Sequence, residues 1–126
     1  SLWSQMNFIY LIDILGDIGH ASSIPYLIEF HRNHTGAFGG VAAVQAMKKI
    51  GTEEVYLYLG NLLIEYLSGK NRFNTEFEIT VACEALGDWN DKRAIPILEQ
   101  ATTIHNHNRM PETAIKQLAK YEGKRR

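Results

Sequence analysis

The chain has 126 residues, 45% of them apolar and 21% charged, which suits one globular domain and argues against intrinsic disorder. Thirteen basic and fourteen acidic side chains leave a net charge of −1, so the chain as a whole is not a basic nucleic-acid binder. A single cysteine, Cys83, excludes an internal disulfide framework and fits a reducing compartment; the expected location is cytoplasmic.

Apolar spacing predicts seven helices, at about 3–18, 22–33, 38–50, 52–68, 75–89, 92–105 and 111–121, and no long period-2 alternation speaks for strands. The first helix is apolar around much of its circumference, from Trp3 and Met6 through Phe8, Ile9, Tyr10, Leu11, Ile12, Ile14 and Leu15. Such a helix is buried on most sides, which predicts self-association or contact with further chain through Trp3, Phe8 and Tyr10. Its apolar run is broken by Asp13, Gly16 and Asp17, and no membrane-spanning segment or signal peptide is visible. The chain opens on Ser1 and is expected to be a segment, the C-terminal end, of a longer protein.

Ser22, Thr52 and Asp91 precede the second, fourth and sixth helices as capping residues. Pro25 and Pro96 fall in first turns, where the missing N–H costs no hydrogen bond. Gly19, Gly51, Asn90 and Gly123 are the expected helix ends, being residues that tolerate the left-handed conformation. Gly36-Ala37-Phe38-Gly39-Gly40 lacks the Lys-Ser/Thr ending of a phosphate loop and reads as a turn between helices. Thr75 and Glu78 have capping-box spacing ahead of the fifth helix. In the last helix Ala114, Ile115, Leu118 and Ala119 form one narrow apolar stripe among polar residues, as expected of a terminal cap.

The chain repeats itself. At an offset of 71, Leu15-Gly16-Asp17 falls on Leu86-Gly87-Asp88, Ile24-Pro25 on Ile95-Pro96, and Leu27 on Leu98. An intermediate copy runs from Ala42 to Gly51 with Lys48 in place of the glycine, and a half-copy runs from Ala114 to Tyr121. The unit is 32 to 39 residues, its longer middle copy being explained by the loop 68–72. A single helix pair cannot bury its apolar stripes alone, so stacked pairs are needed to make a core.

The segments LGDIGHASSIPYLIEF and ALGDWNDKRAIPILEQA resemble the short HEAT-like repeat first recognised in phycobilisome lyases, whose pattern is Ala-Leu-Gly-x-x-Gly, a turn, and Ala-Ile-Pro-x-Leu. The resemblance covers nearly the whole chain. It implies an all-α solenoid of about 3.5 helix-pair repeats in one domain, 1–126, whose second helices line a concave face. It also implies a protein-interaction scaffold holding a protein or peptide partner there. Helical phase makes Glu29, Arg32, Tyr58, Asn61, Glu65, Glu99 and Thr103 the expected partner-binding residues. The resemblance also implies a chromophore-handling protein like the bilin lyases as an alternative, and the apolar first helix and absent start methionine suit a third, a regulatory segment of a larger signalling or ATPase protein.

Chemistry is harder to find. His31 and His34 near the end of the second helix, and His105 and His107 near the end of the sixth, are too far apart to converge on one metal, and read as complements to helix dipoles. Asp17 and Asp88 recur with the repeat and read, with Asp91, as caps rather than as paired acids. Cys83 lies beside Ala82 and Leu86 and reads as a buried small residue. No catalytic constellation, cofactor site or metal site emerges. Residues 109–126 hold six basic and two acidic side chains, but Glu29, Glu65 and Glu99 on the expected binding face speak against nucleic acid. Asn33-His34-Thr35 matches a glycosylation sequon, as chance alone would produce.

Overall fold

A computed structural model describes residues 2–33, 37–70, 75–104 and 110–125, with the side chains of 2–7, 37, 38 and 125 also outside the description. His34, Gly36, His105, His107, Asn71, Arg72 and the side chains of Trp3, Met6 and Phe38 therefore lie outside the described residues. Those that are described form seven α-helices and no strand: α1 (Leu2–Ile18), α2 (Ile24–Asn33), α3 (Ala37–Ile50), α4 (Glu53–Leu67), α5 (Glu76–Trp89), α6 (Ala94–Ala101) and α7 (Met110–Arg125). A single 3-10 turn, Ala21–Ser23, leads into α2.

Local chemistry explains most of the boundaries. Gly19, Gly51 and Asn90 have φ of 74°, 66° and 58°, the left-handed conformation that ends α1, α3 and α5. Thr75 caps α5 by accepting a hydrogen bond from the Glu78 amide at 3.2 Å. Asp91 Oδ1 accepts from the Arg93 amide at 2.8 Å ahead of α6. The other expected caps differ. Thr52 precedes α4 without a side-chain capping bond, and Ser22 lies within the 3-10 turn, bonded to His20. Gly123 does not end α7, which continues to Arg125 and carries the basic tail in helical form through Lys124. Gly39 and Gly40 are buried inside α3 rather than placed in a turn. Helix α6 stops at Ala101, four residues before the expected end, because Thr102 and Thr103 turn their hydroxyls onto the carbonyls of Glu99 and Gln100.

The helices lie in two ranks. α1 packs on α3, α3 on α5 and α5 on α7, while α2, α4 and α6 neighbour one another and each rests on the odd helix that follows it. Between the ranks lie the fully buried Ile24, Leu27, Met47, Leu59, Leu63, Ile79, Leu86, Leu98 and Met110. Each such side chain contributes roughly 1.5–3 kcal/mol relative to exposure. In α7 the buried line is Met110, Ala114 and Tyr121, so the expected stripe is shifted: Ile115 and Ala119 face outward.

The repeated Leu-Gly-Asp has a tertiary purpose. A Cβ on Gly16 would lie 2.9 Å from Ala46 Cα, and one on Gly87 would lie 2.7 Å from Gln117 Cβ. Only glycine lets consecutive odd helices come so close. The aspartate that follows reaches across the same contact: Lys49 donates to Asp17 at 2.8 Å, and Lys120 donates to Asp88. Ala46 and Gln117, like Lys49 and Lys120, are separated by the same 71-residue offset as the motifs they meet. Asp17 and Asp88 are thus links between repeats, not caps of the next helix. The middle copy, with Lys48 in the glycine's place, instead bridges α3 to α5 through a 2.7 Å contact from Lys48 Nζ to Glu84.

Candidate functional site

The even helices turn one side toward the odd rank and the other to solvent. From α2, Ile24, Leu27 and His31 go inward, leaving Tyr26, Glu29 and Arg32 exposed. From α4, Val55, Tyr58, Leu59, Leu62 and Leu63 go inward, leaving Leu57, Asn61 and Ile64 exposed. From α6, Ala94, Leu98 and Ala101 go inward and Glu99 stays outside, with Thr103 exposed just past the helix end. Five of the seven expected binding residues, Glu29, Arg32, Asn61, Glu99 and Thr103, are therefore exposed, and Glu65 is half-buried. Tyr58 does not share that exposure; it is 9% accessible and its hydroxyl points into the protein. Helical phase on α4 alone missed Leu57 and Ile64, because this helix carries apolar residues all round and its outward side leaves no amphipathic mark.

Beneath this face is a polar core joining three helices. His31 Nε2 lies 2.7 Å from Glu78 Oε1, and His31 Nδ1 lies 2.7 Å from the Tyr58 hydroxyl. A carboxylate only accepts, so Nε2 donates to Glu78 and, in a neutral ring, Nδ1 accepts the Tyr58 proton. Thr75 donates to the other Glu78 oxygen at 3.3 Å. The imidazole meets the Tyr58 ring edge-on, and the Arg32 guanidinium covers that ring 5.4 Å from its centre. Burial raises the Tyr58 phenol above its ordinary value, partly offset by the Arg32 charge. The order tyrosine, histidine, carboxylate is that of a nucleophile, its base and an orienting acid. The Tyr58 hydroxyl is turned inward and the three side chains tie α2, α4 and α5 together. His31 stands in the last turn of α2, as expected, and is buried and hydrogen-bonded there. The sequence signal that was available is Glu78 itself, a carboxylate followed at once by the apolar run of α5.

A second cluster tops the junction of α4, α5 and α6. Arg93 reaches Asp91 at 2.7 Å and Glu53 at 2.9 Å, and its guanidinium lies 4.6 Å over the Trp89 ring, which in turn stacks on Tyr56. Arg93 holds the Asp91 carboxyl at about 2, below the usual carboxylate range. One guanidinium thus bridges carboxylates of α4 and of the turn before α6, which marks the cluster as a clasp between neighbouring pairs. Cys83 is buried, and burial pushes its thiol up to about 12, the opposite of what a nucleophile needs.

Among the described residues no three His, Cys, Asp or Glu side chains converge to hold a metal, and no helix is long and apolar enough to cross a membrane. Comparison with models of protein families, with curated proteins and with solved structures finds no match to this chain.

Proposed function

We propose that the helix pairs form a short HEAT-like solenoid and that its even-helix face, the inner one of such a stack, holds a segment of another protein. The succession of odd helices on odd helices, with even helices in a second rank, supports the solenoid part of this reading. The observation that carries the binding part is apolar. Tyr26, Leu57 and Ile64 are 71%, 41% and 46% exposed on two adjacent even helices, on the side turned away from the core. Large side chains left open beside polar ones are the composition of a contact surface. Glu29 and Glu99 flank them, which favours a ligand that places basic side chains around an apolar anchor.

The test is affinity capture from the source organism's extract with three baits: the unaltered chain, a Leu57→Asp/Ile64→Asp variant, and an Ile115→Asp variant altered on α7 outside this face. A protein kept by the first and third baits and lost from the second supports the reading. Retention that ignores the double substitution, equal loss from both variants, or no retention at all overturns it.

A further inference from the structure

Among the described residues, the face of α1 that turns away from α3 is left open, save at its edge where the Phe8 ring lies 6.4 Å from that of Phe30 in α2. Phe8, Tyr10, Leu11, Ile14 and Ile18 are 49–67% exposed there, while Ile12 and Gly16 on the opposite side are buried. The five form a continuous strip, since Leu11, Ile14 and Ile18 follow the 3-4 spacing of a coiled-coil seam, with Tyr10 and Phe8 on its flanks. The strip itself carries no charge. Asp17 beside it is paired with Lys49 of α3.

We infer that this strip is the contact between two copies of the chain, joined antiparallel about a two-fold axis. Area is the first argument. An aromatic side chain offers roughly 150–250 Å² and an aliphatic one somewhat less, so half to two-thirds exposure of five leaves on the order of 500–600 Å² per copy. Two such strips face to face remove about 1,000–1,200 Å² from water, which reaches the lower edge of specific interfaces and predicts a weak, reversible dimer. Self-complementarity is the second. With the axis at the level between Ile12 and Asp13, Leu11 lies beside Ile14 of the second copy and Phe8 within about one residue's rise of Ile18, so apolar meets apolar along the seam. The third concerns the other end of the stack. On the outer surface of α7 the exposed Ile115 and Ala119 stand among charged residues, with Lys116 paired to Glu112, so α1 of one copy finds a much smaller apolar counterpart there than on a second α1, and head-to-tail chains are disfavoured. The proposal does not rest on what the even-helix face binds.

The experiment is sedimentation velocity across two decades of concentration, upward from the low micromolar range. The unaltered chain is expected to move from the monomer mass toward twice that value. Leu11→Glu and Ile14→Lys are each expected to stay monomeric with unchanged helical circular dichroism, because both sites are half-exposed in the monomer. An equimolar mixture of the two is expected to associate again, since the antiparallel register sets the introduced carboxylate against the introduced ammonium. Tyr10→Lys, at the most exposed of the five positions, repeats the test should either variant lose helix. A chain that stays monomeric throughout, or association that survives all three substitutions, overturns the proposal. Failure of the mixture to associate overturns the antiparallel register.

Discussion

Gly16→Ala and Gly60→Ala are one chemical change with opposite expected outcomes. At Gly16 the new Cβ would sit 2.9 Å from Ala46 Cα and 3.0 Å from Ala46 Cβ. Non-bonded carbons rest at about 3.5–4.0 Å, so α1 and α3 must separate by roughly half an ångström or more. The obstacle is backbone, which cannot rotate aside, and overpacking of this kind costs about 1–3 kcal/mol. Alanine's better helix propensity returns up to about 1 kcal/mol, less so close to the end of α1. The net loss expected is about 1–2 kcal/mol. At Gly60, in the middle of α4, the same methyl would lie 3.6 Å from Leu86 and 3.8 Å from Ile97, ordinary contact distances. Propensity then dominates, and a gain of about 1 kcal/mol is expected. Urea unfolding followed by far-ultraviolet circular dichroism would separate the two midpoints by about 1 M or more at the usual slope for a small domain. A Gly16→Ala midpoint equal to or above that of Gly60→Ala would refute the close approach of α1 to α3 as the reason for the glycine.

Four further outcomes are expected. Gly87→Ala destabilises like Gly16→Ala, because Gln117 Cβ at 2.7 Å cannot swing away, and the same urea series checks it. Glu78→Ala removes the acceptor for buried His31 and leaves a cavity, a loss of about 2–4 kcal/mol in thermal or urea unfolding; a loss below about 1 kcal/mol would remove the polar core from the account. The Asp91 carboxyl, held at about 2 by Arg93, contributes stability that is present above the unfolded value near 4 and is lost as pH falls through the folded value, and a carbon-13 titration should show it returning toward about 4 in Arg93→Gln. Finally, Cys83, with its thiol pushed up to about 12, should resist alkylation at mildly alkaline pH until urea unfolds the chain, and rapid labelling of the folded protein would contradict its burial.

The helices and their ends were legible because their signals are local. Glycine or asparagine in the left-handed conformation, threonine ahead of Glu78 and proline in a first turn act within a few residues, and all but Gly123 of the expected helix ends stand where the chain punctuates itself. Periodicity identifies a helix but fixes its phase only when one side is polar. Helix α4, apolar all round, gave no such mark, and so Leu57 and Ile64 went unseen while Tyr58 was expected on the open face.

By itself, then, the sequence determined an all-helical chain with an internal repeat, since propensity, capping and hydrophobic spacing are read between near neighbours. Tertiary structure alone decided what the repeated residues are for. Gly16 and Gly87 are glycines because of Ala46 and Gln117, and Asp17 and Asp88 are held by Lys49 and Lys120, partners about 30 residues away. His31, Tyr58 and Glu78 meet across separations of 27 and 47 residues. Such pairs are set by how helices pack, and the burial that makes them costly to break exists only once the ranks have closed.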